Sequence, residues 1–524
     1  MRCQTYALHE AAFPAMARFA GLSGVKFRMA WQGLAAKKGA MMPFDTFLSR
    51  TSRVAVICGV MLPAAGCSFF KPLGTKRMNA DLLAVQGTAP DRWVMLPKPP
   101  AGAATGWLGD FGSTKLKALV NRAITANPSL KAAEARVRQA RAQVVQEGAS
   151  LFPQVGVNGF ASRAQAPGDQ RFAGINQIAN RFNWTVNVAW DVDFWGVVAD
   201  GRRAAVARME ASDETWHAAR LSLAANTVQT AVTLAETESL RRLAEENIRV
   251  RKTQLGILER QLDRGIDPER AALDVTLSRA DLARAESTLQ QRGRTADETR
   301  RALEALLGDY PAGKEGGMGT LPNLHRGVPA GLPSEMLLRR PDLRAAERRV
   351  AAALADESSA KKALLPSFRI TGAFGRTSQQ LHQLIRPESA LWNLGTQAAQ
   401  TIFQGGRLKA GIDLERARYD ENLQTYANSV LTAFREVETA LAAEQFLTAQ
   451  EAALQQAASL ASQAEKLALS QYEKGLSDVL TLLDTRQRTF DAESALIAVK
   501  AQRLRNRAAL HLALGGDFSS TATP

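Results

Sequence analysis

The most informative segment of the chain reads FNWTVNVAWDVDF and spans residues 182–194. Apolar and polar residues alternate through it with period two, so one face of an extended strand is apolar. Its length suits a tilted membrane strand of roughly 9–11 residues plus its ends. A strand of a soluble antiparallel sheet, with one face on a core, is the alternative that this pattern leaves open. We predict that the following side chains face lipid: Phe182, Trp184, Val186, Val188, Trp190, Val192 and Phe194.

The chain also contains an internal repeat. NPSLKAAEARVRQARAQVVQEGASLFPQVGVNG (127–159) aligns without gaps with RPDLRAAERRVAAALADESSAKKALLPSFRITG (340–372), and twelve of 33 positions are identical. Further on, RGIDPERAALD (264–274) lies over KGLSDVLTLLD (474–484). The sequence therefore predicts two structural copies, at 112–310 and 334–518, with a linker rich in Gly and Pro at 311–333.

Each copy predicts the same order of elements. A helix runs to a proline, two β segments follow, and long helices come last. The four β segments are expected at about 154–163, 182–195, 367–376 and 390–403.

The helices after the strands are predicted to be unusually long. Residues 198–262 contain no proline and only two glycines, and a helix of that length extends about 100 Å. In the second copy, apolar residues recur at spacings of three and four, which indicates a left-handed coiled-coil seam. The alternative is a soluble helical bundle. The seam residues are Leu423, Ala427, Val430, Phe434, Val437 and Leu441.

The beginning of the chain is typical of a bacterial lipoprotein leader. Residues 50–67 read RTSRVAVICGVMLPAAGC, which has two arginines, a short apolar stretch and small residues before Cys67. We expect a leader over 1–66, of which 41–66 is the signal peptide and 1–40 a misannotated start. Lipidation is expected at Cys67, followed by an N-terminal lipidated extension over 67–111; residues 519–524 form a tail. An ordinary secretory signal with an incidental Cys67 is the alternative.

Composition excludes several functional classes. Lys and Arg outnumber Asp and Glu by 66 to 51, with a net charge of +15, but the arginines are spread among glutamates along helices, which argues against nucleic-acid binding. Three cysteines exclude a disulfide scaffold. We find neither catalytic nor metal-binding motifs, so we expect no enzymatic activity, cofactor or metal. Four histidines are too widely spaced for a metal site: His217, His325, His382 and His511.

Four strands cannot close a barrel alone. An open sheet edge in lipid leaves backbone N–H and C=O groups unpaired, at a cost of several kcal/mol each. Several chains must therefore share one barrel, and three copies give twelve strands. The sequence thus predicts a conduit across the outer membrane that continues as a helical tube in the periplasm.

Four segments together resemble the TolC-type outer membrane efflux proteins (outer membrane factors), and the lipoprotein leader favours the NodT/OprM-like subgroup. The resemblance covers roughly residues 68–518. The segments are RRPDLRAAERRVAAALADESSAKKALLPSFRITGAFG, IFQGGRL, AFREVETALA and YEKGLSDVLTLLDTRQRTFDAESAL.

The resemblance implies a mainly α fold with a transmembrane β-barrel. Two tandem repeats supply long coiled-coil helices, which form an α-barrel, and four strands per chain, which give a twelve-stranded barrel in a homotrimer. It also implies a lipid-anchored location in the outer membrane. The partners are outer membrane lipid, a periplasmic adaptor (membrane fusion protein) and an inner-membrane pump of the proton-driven resistance–nodulation–division (RND) type.

The expected function is passive conduction of drugs or other small molecules from the pump assembly across the outer membrane. Two alternatives remain open: a conduit for a type I protein exporter, and a periplasmic coiled-coil scaffold or adaptor without a channel.

The resemblance also implies a periplasmic gate formed by a ring of acidic residues from each protomer. Gly265 and Gly475 are expected to end helices in an equatorial belt with left-handed backbone. Neutralising Glu438 and Glu444 together is predicted to raise single-channel conductance. A solvated helix face is the alternative for each candidate. The candidate gate residues are Glu438, Glu444, Glu436 and Glu236.

Overall fold

The computed structural model of the protein describes residues 73–87, 89–95, 106–165, 178–265, 268–324 and 333–516. The expected leader, Cys67, His325 and the tail at 519–524 lie outside these residues. The helices are α1 (Thr75–Gln86), α2 (Thr114–Ala126), α3 (Pro128–Ala149), α4 (Val197–Asp263), α5 (Pro268–Leu306), α6 (Pro333–Arg339), α7 (Pro341–Lys362), α8 (Arg407–Glu473) and α9 (Val479–Ala513). The strands are β1 (Gln154–Gln165), β2 (Ile178–Val192), β3 (Ser367–Ser378) and β4 (Ala390–Ala399).

The two copies have the same order of elements. Helices α3 and α7 are each 22 residues long, and α4 and α8 are each 67 residues long. Both 22-residue helices start with a proline, whose fixed φ suits the first helical turn. The side chain of Asn127 caps α3 by accepting hydrogen bonds from the N–H groups of Ser129 (2.9 Å) and Leu130 (3.2 Å).

The strands form one antiparallel sheet in the order β1-β2-β3-β4. The predicted strands overlap the observed ones, but five of their ends differ by two to four residues, and the two differences before the long helices are informative. Strand β2 runs from Ile178 to Val192, so Phe194 lies in the turn before α4 rather than in the strand. Strand β4 ends at Ala399, where 403 was expected. Both differences occur where the strand gives way to a helix, because a period-two pattern does not show where pairing stops.

The long helices form two hairpins, α4–α5 and α8–α9. The turn of each hairpin lies about 100 Å from the sheet. Gly265 and Gly475 lie in these turns with φ of 69° and 71°, which confirms the expected left-handed backbone. Their expected position in an equatorial belt is wrong, because α4 and α8 each run 67 residues from the sheet before reaching them. The two hairpin ends contact each other through Leu258, Val275 and Val479.

The core lies around the middle of the long helices. One cluster joins the short 3₁₀ helix Trp107–Phe111 and α2 to α4 and α9, with Phe111, Leu116 and Leu303 fully buried. A second cluster joins α7 to the predicted coiled-coil seam of α8, where Val430, Val437 and Leu441 are buried. Each buried side chain of this size stabilises the fold by roughly 1.5–3 kcal/mol. Among the described helices, none has the length and apolar character needed to cross a bilayer.

An N-terminal strap, residues 73–87 and 89–95, packs against α7 and α8. It begins beside the sheet, where the Leu73 N–H donates to Ser358 Oγ at 2.8 Å. Farther along, the Tyr419 hydroxyl donates to Asp81 at 2.7 Å, and Trp93 is buried against Phe434. The strap therefore ties the region next to the sheet to the middle of the long helices.

Candidate functional site: a two-faced sheet and two helical hairpins

The register of the sheet puts most of the large apolar residues of the four strands on one face. Residues directly opposite each other in an antiparallel pair share a face. Val186 pairs with Val157 of β1 and Phe374 of β3, and Phe374 pairs with Trp392 of β4. The six strand residues of our predicted lipid-facing set alternate along β2 and so share this face: Phe182, Trp184, Val186, Val188, Trp190 and Val192.

Within the described part of the chain, several large side chains of this apolar face are left exposed. Val155 and Val157 are 68% and 71% exposed, and Trp392 and Leu394 are 77% and 72% exposed. A contiguous apolar surface of this kind marks contact with another apolar phase or with protein. Phe194, just beyond β2, is also exposed, and its ring packs against Trp195 and Phe368.

The opposite face of the sheet is mainly polar, although it also carries Phe160 and Leu391. Thr185 pairs with Asn158, and Asn187 donates from its side-chain amide to the Thr185 hydroxyl at 3.1 Å. Near the helical end, Arg369 forms an ion pair with Asp191 at 3.4 Å. A sheet with one apolar and one polar face is the pattern of a barrel between lipid and a water-filled lumen.

The junction between the sheet and the helices is fixed by buried polar contacts. The Asp193 carboxylate accepts hydrogen bonds from the N–H groups of Val198 (3.1 Å) and Ala199 (2.7 Å), where the first turn of α4 leaves donors unpaired. Just below, the buried Asp200 carboxylate accepts from the Ser358 hydroxyl and the Lys362 ammonium, both at 2.6 Å. The strands are therefore held rigidly at the top of the long helices.

Helix α8 has an uncovered apolar face on its lower half. Phe446, Leu460 and Leu467 recur at multiples of seven residues and are 70%, 56% and 65% exposed. A seven-residue repeat places side chains in one line along a helix, as in a coiled-coil seam. This line has no partner within the described part of the chain, which makes it a candidate contact with another helix.

The four candidate gate residues lie far from the hairpin ends. Glu438 is 31 residues after the start of α8 and 35 residues before its end, which is about 50 Å from either. It accepts hydrogen bonds from the N–H groups of Val94 (2.7 Å) and Met95 (3.3 Å) of the strap. Glu438 therefore binds the end of the strap to the middle of α8.

The other three candidates are paired within the chain. Glu444 is buried and accepts from Arg507 at 2.8 Å and Arg503 at 3.2 Å. Glu436 pairs with the buried Arg340 at 2.8 Å, and Glu236 with Arg505. Each carboxylate already has a local partner, so its field outside the protomer is reduced. Their gate role stays a prediction.

The ends of the hairpins contain other polar groups, which are not among the residues predicted from the sequence. Asp478 accepts from Thr481 N–H at 2.8 Å and caps α9. Hydrogen bonds from the side chain and then the backbone of Thr481 hold the pKa of Asp478 below its usual range. Higher up, Arg251 of α4 and Arg486 of α9 are both buried, and desolvation lowers the pKa of each guanidinium. The repeat of 264–274 at 474–484 was the signal that pointed to this end.

Three features together define a subunit of a membrane conduit. They are the buried junction between sheet and helices, the sheet with one apolar and one polar face, and the two helical hairpins of about 100 Å. The sequence profile of the family described as "Outer membrane efflux protein" matches residues 119–309 and 332–516, which is more than half of the chain. The chain belongs to this outer membrane efflux protein family. It is an outer membrane component of an efflux system, with its helical tube in the periplasm.

Relatives and solved structures agree with this assignment. The chain is 32% identical over 439 residues to outer membrane protein OprJ of Pseudomonas aeruginosa, covering 82% of this chain and 90% of that protein. It is 30% identical over 440 residues to the pyoverdine export outer membrane protein OpmQ of the same species, covering 82% and 92%. The solved MtrE channel of Neisseria gonorrhoeae, in its open state, matches with a TM-score of 0.72 at 28% identity, covering 82% and 96%.

Proposed function

We propose that three copies of this chain form one twelve-stranded barrel in the outer membrane and one helical tube below it. The observation that supports this most is the four-stranded sheet, whose outer strands β1 and β4 each have one edge without a partner strand among the described residues. Such edges are costly in lipid, and pairing β4 of one copy with β1 of the next satisfies them. The uncovered apolar line of α8 supports the same assembly in the periplasm.

In this assembly the chain is a passive conduit and performs no chemistry of its own. The polar face of the sheet lines the lumen with threonine, asparagine and glutamine, which solvate small molecules without selecting strongly among them. We propose an adaptor protein and a proton-driven inner-membrane pump as partners, with the adaptor contacting the hairpin ends around Gly265 and Gly475. The cargo is a small molecule, by analogy with relatives named for pyoverdine export and cation efflux.

The conduit function is tested on protein extracted from the outer membrane in detergent. Native mass spectrometry is expected to give a trimer, and planar bilayers are expected to show open-channel conductance from that trimer. In a strain lacking the gene, susceptibility to toxic small molecules is expected to rise and to be restored by the intact gene. A detergent-independent monomer in the periplasmic fraction contradicts the proposal and supports a periplasmic scaffold instead.

We also propose that Cys67 carries the lipid anchor. The strap supports this, because Leu73 is bound to Ser358 beside the sheet, and the six residues back to Cys67 span at most about 20 Å. A lipidated Cys67 therefore reaches the inner surface of the outer membrane without disturbing the fold. Labelling with radioactive palmitate is expected in the parent and absent in Cys67→Ser; equal labelling in both contradicts the assignment.

A further inference from the structure

Two arginines interrupt the apolar face of the sheet. Arg163 of β1 pairs with Asn180, and Arg376 of β3 pairs with Trp184, so both lie on the face that carries the lipid-facing residues. Among the described strand residues on this face, they are the only charged side chains. Charge on a lipid-facing surface is costly at the membrane midplane and tolerated near its interfaces, so their depth along the strands is informative.

Both arginines lie toward the end of the sheet that is far from the helices. The partner of Arg163, Asn180, is 12 residues from Val192 at the helical end of β2, or about 30 Å along the membrane normal for a strand tilted by about 40°. The apolar band of such barrels is about 25 Å tall. Arg163 therefore lies just beyond the band, at the level of the headgroups.

The backbone of Arg376 lies closer to the helices, about 20 Å from the helical end of the sheet. Its side chain extends toward the distal loop, which joins β3 to β4 (379–389). Its Nη1 donates to the backbone carbonyl of Arg386 at 3.1 Å and to that of Ile385. A guanidinium has five N–H donors in a planar fork, so this contact leaves others available. The side chain is only partly covered in the chain.

Carboxylate partners for the two arginines are lacking among the described residues: no Asp or Glu oxygen there lies within 4.0 Å of either guanidinium. The helical end of the same face is different. The residues that share its last row, Val192, Phe368 and Ala398, are all uncharged. The positive charge on the lipid-facing surface is thus confined to the distal rim.

We propose that Arg163 and Arg376 bind the phosphate groups of lipid headgroups in the outer leaflet of the membrane. This inference rests on the proposed barrel and its orientation. Arginine suits the task because its fork forms paired, charge-assisted hydrogen bonds with phosphate oxygens. The rim thereby selects phosphorylated lipid as its nearest neighbour and fixes the height of the barrel in the bilayer.

The chain provides a matched control for the two arginines. Arg181 of β2 pairs with Ser162, at nearly the same height as Arg163 but on the polar face of the sheet. Arg181→Gln removes the same charge from the same rim without removing it from the lipid-facing surface. Any effect of overall charge or of the distal loops therefore appears in both variants.

The experiment uses purified trimer in vesicles of digalactosyldiacylglycerol, a neutral lipid without phosphate, to which either diphosphorylated or dephosphorylated lipid A is added. Lipid retained on the trimer is measured by native mass spectrometry after extraction in mild detergent. The parent is expected to retain the diphosphorylated lipid. Arg163→Gln with Arg376→Gln is expected to weaken retention roughly thirtyfold, at about fivefold per arginine near a charged headgroup surface. Arg181→Gln is expected to match the parent.

Three results overturn the inference. They are unchanged retention in the double variant, equal loss in Arg181→Gln, and equal retention of the dephosphorylated lipid by the parent. If Arg376→Gln prevents assembly by releasing the distal loop, Arg163→Gln alone is expected to show about a fivefold loss. Channel conductance is recorded on the same trimers. A trimer that conducts but retains the phosphorylated and dephosphorylated lipids equally refutes this inference and leaves the conduit function intact.

Discussion

The helices α4 and α8 occupy the same place in the two copies and have the same length, yet they are buried to different extents. Helix α4 has twenty-three buried residues and α8 only eleven. Helix α4 is enclosed by α7, α3, α5 and α9, whereas α8 packs mainly on α9 and α7. The first copy therefore supplies the centre of the protomer, and the second supplies much of its outer boundary.

Positions 210 residues apart show the difference directly. Leu234 of α4 is fully buried among apolar side chains, and its counterpart Glu444 in α8 is buried in an ion-pair network. Glu236 is paired with Arg505, while its counterpart Phe446 is 70% exposed. The same backbone position thus carries a side chain that is paired within the protomer in the first copy and an exposed apolar side chain in the second, which is available for the proposed contact with another chain.

The largest effect is expected at the buried position of α4. Leu234→Asp places an unpaired carboxylate in the core and is expected to destabilise the protomer by more than about 4 kcal/mol, so that it fails to accumulate in the outer membrane. Membrane fractionation and immunoblotting measure this. Leu234→Met is the control and is expected to cost less than about 1.5 kcal/mol. A normally inserted Leu234→Asp trimer contradicts the central role of α4.

At the exposed position of α8, the trimer is expected to fail while the protomer folds. Phe446→Asp removes about 2 kcal/mol of apolar burial at each of three interfaces and adds a charge there. Native mass spectrometry is expected to show monomer, with a helical circular dichroism spectrum close to the parent's. Phe446→Leu is expected to remain trimeric. Loss of helix in the monomer means instead that Phe446 supports the protomer.

A smaller effect is expected at the buried acid of α8. Glu444→Gln removes the carboxylate that Arg507 and Arg503 share, although Asp110 still lies beside Arg507 and Glu451 beside Arg503. The variant is expected to destabilise the trimer by about 2 kcal/mol, measured as a lower midpoint of heat dissociation. Single-channel conductance of the surviving trimer separates the two roles of this residue. A rise supports the gate prediction, and unchanged conductance leaves Glu444 as a structural residue only.

The smallest effects are expected at the hairpin turns, where the two copies agree. Gly265→Ala and Gly475→Ala each place a β-carbon on left-handed backbone and are expected to cost about 1 kcal/mol. Apart from the adjacent residues of the chain, no described atom lies within 4 Å of either added carbon, so the cost is conformational. Gly411→Ala, inside α8 and equally open, is expected to be neutral or stabilising. Unequal costs at the two turns mean that the hairpin ends are not equivalent.

Much of the fold could be predicted from the sequence because its periods are strong. The alternation from Phe182 to Val192 predicted which face of β2 is apolar. The spacing from Leu423 to Leu441 predicted which side of α8 is buried. The end of β2 could not be read from the pattern, because Phe194 continues the alternation into the turn.

The candidate gate was less predictable. A glutamate on a long helix looks the same in sequence whether it lies at the middle or at the end, and only its partners distinguish the two. Those partners, such as Arg507 for Glu444 and the strap N–H groups for Glu438, come from distant parts of the chain. The 31 residues between the start of α8 and Glu438 already indicated that Glu438 lies near the middle of the helix.

Disulfide cross-linking between β1 and β4 tests the shared barrel most directly. Within one chain these strands are separated by β2 and β3, about 14 Å apart, which is too far for a disulfide. Asn158→Cys on β1 is combined in turn with Asn393→Cys, Gly395→Cys or Gln397→Cys on the same polar face of β4. Oxidation of intact membranes is expected to give covalent dimers and trimers, and nothing larger, for at least one pair. Monomer alone for every pair contradicts the shared barrel.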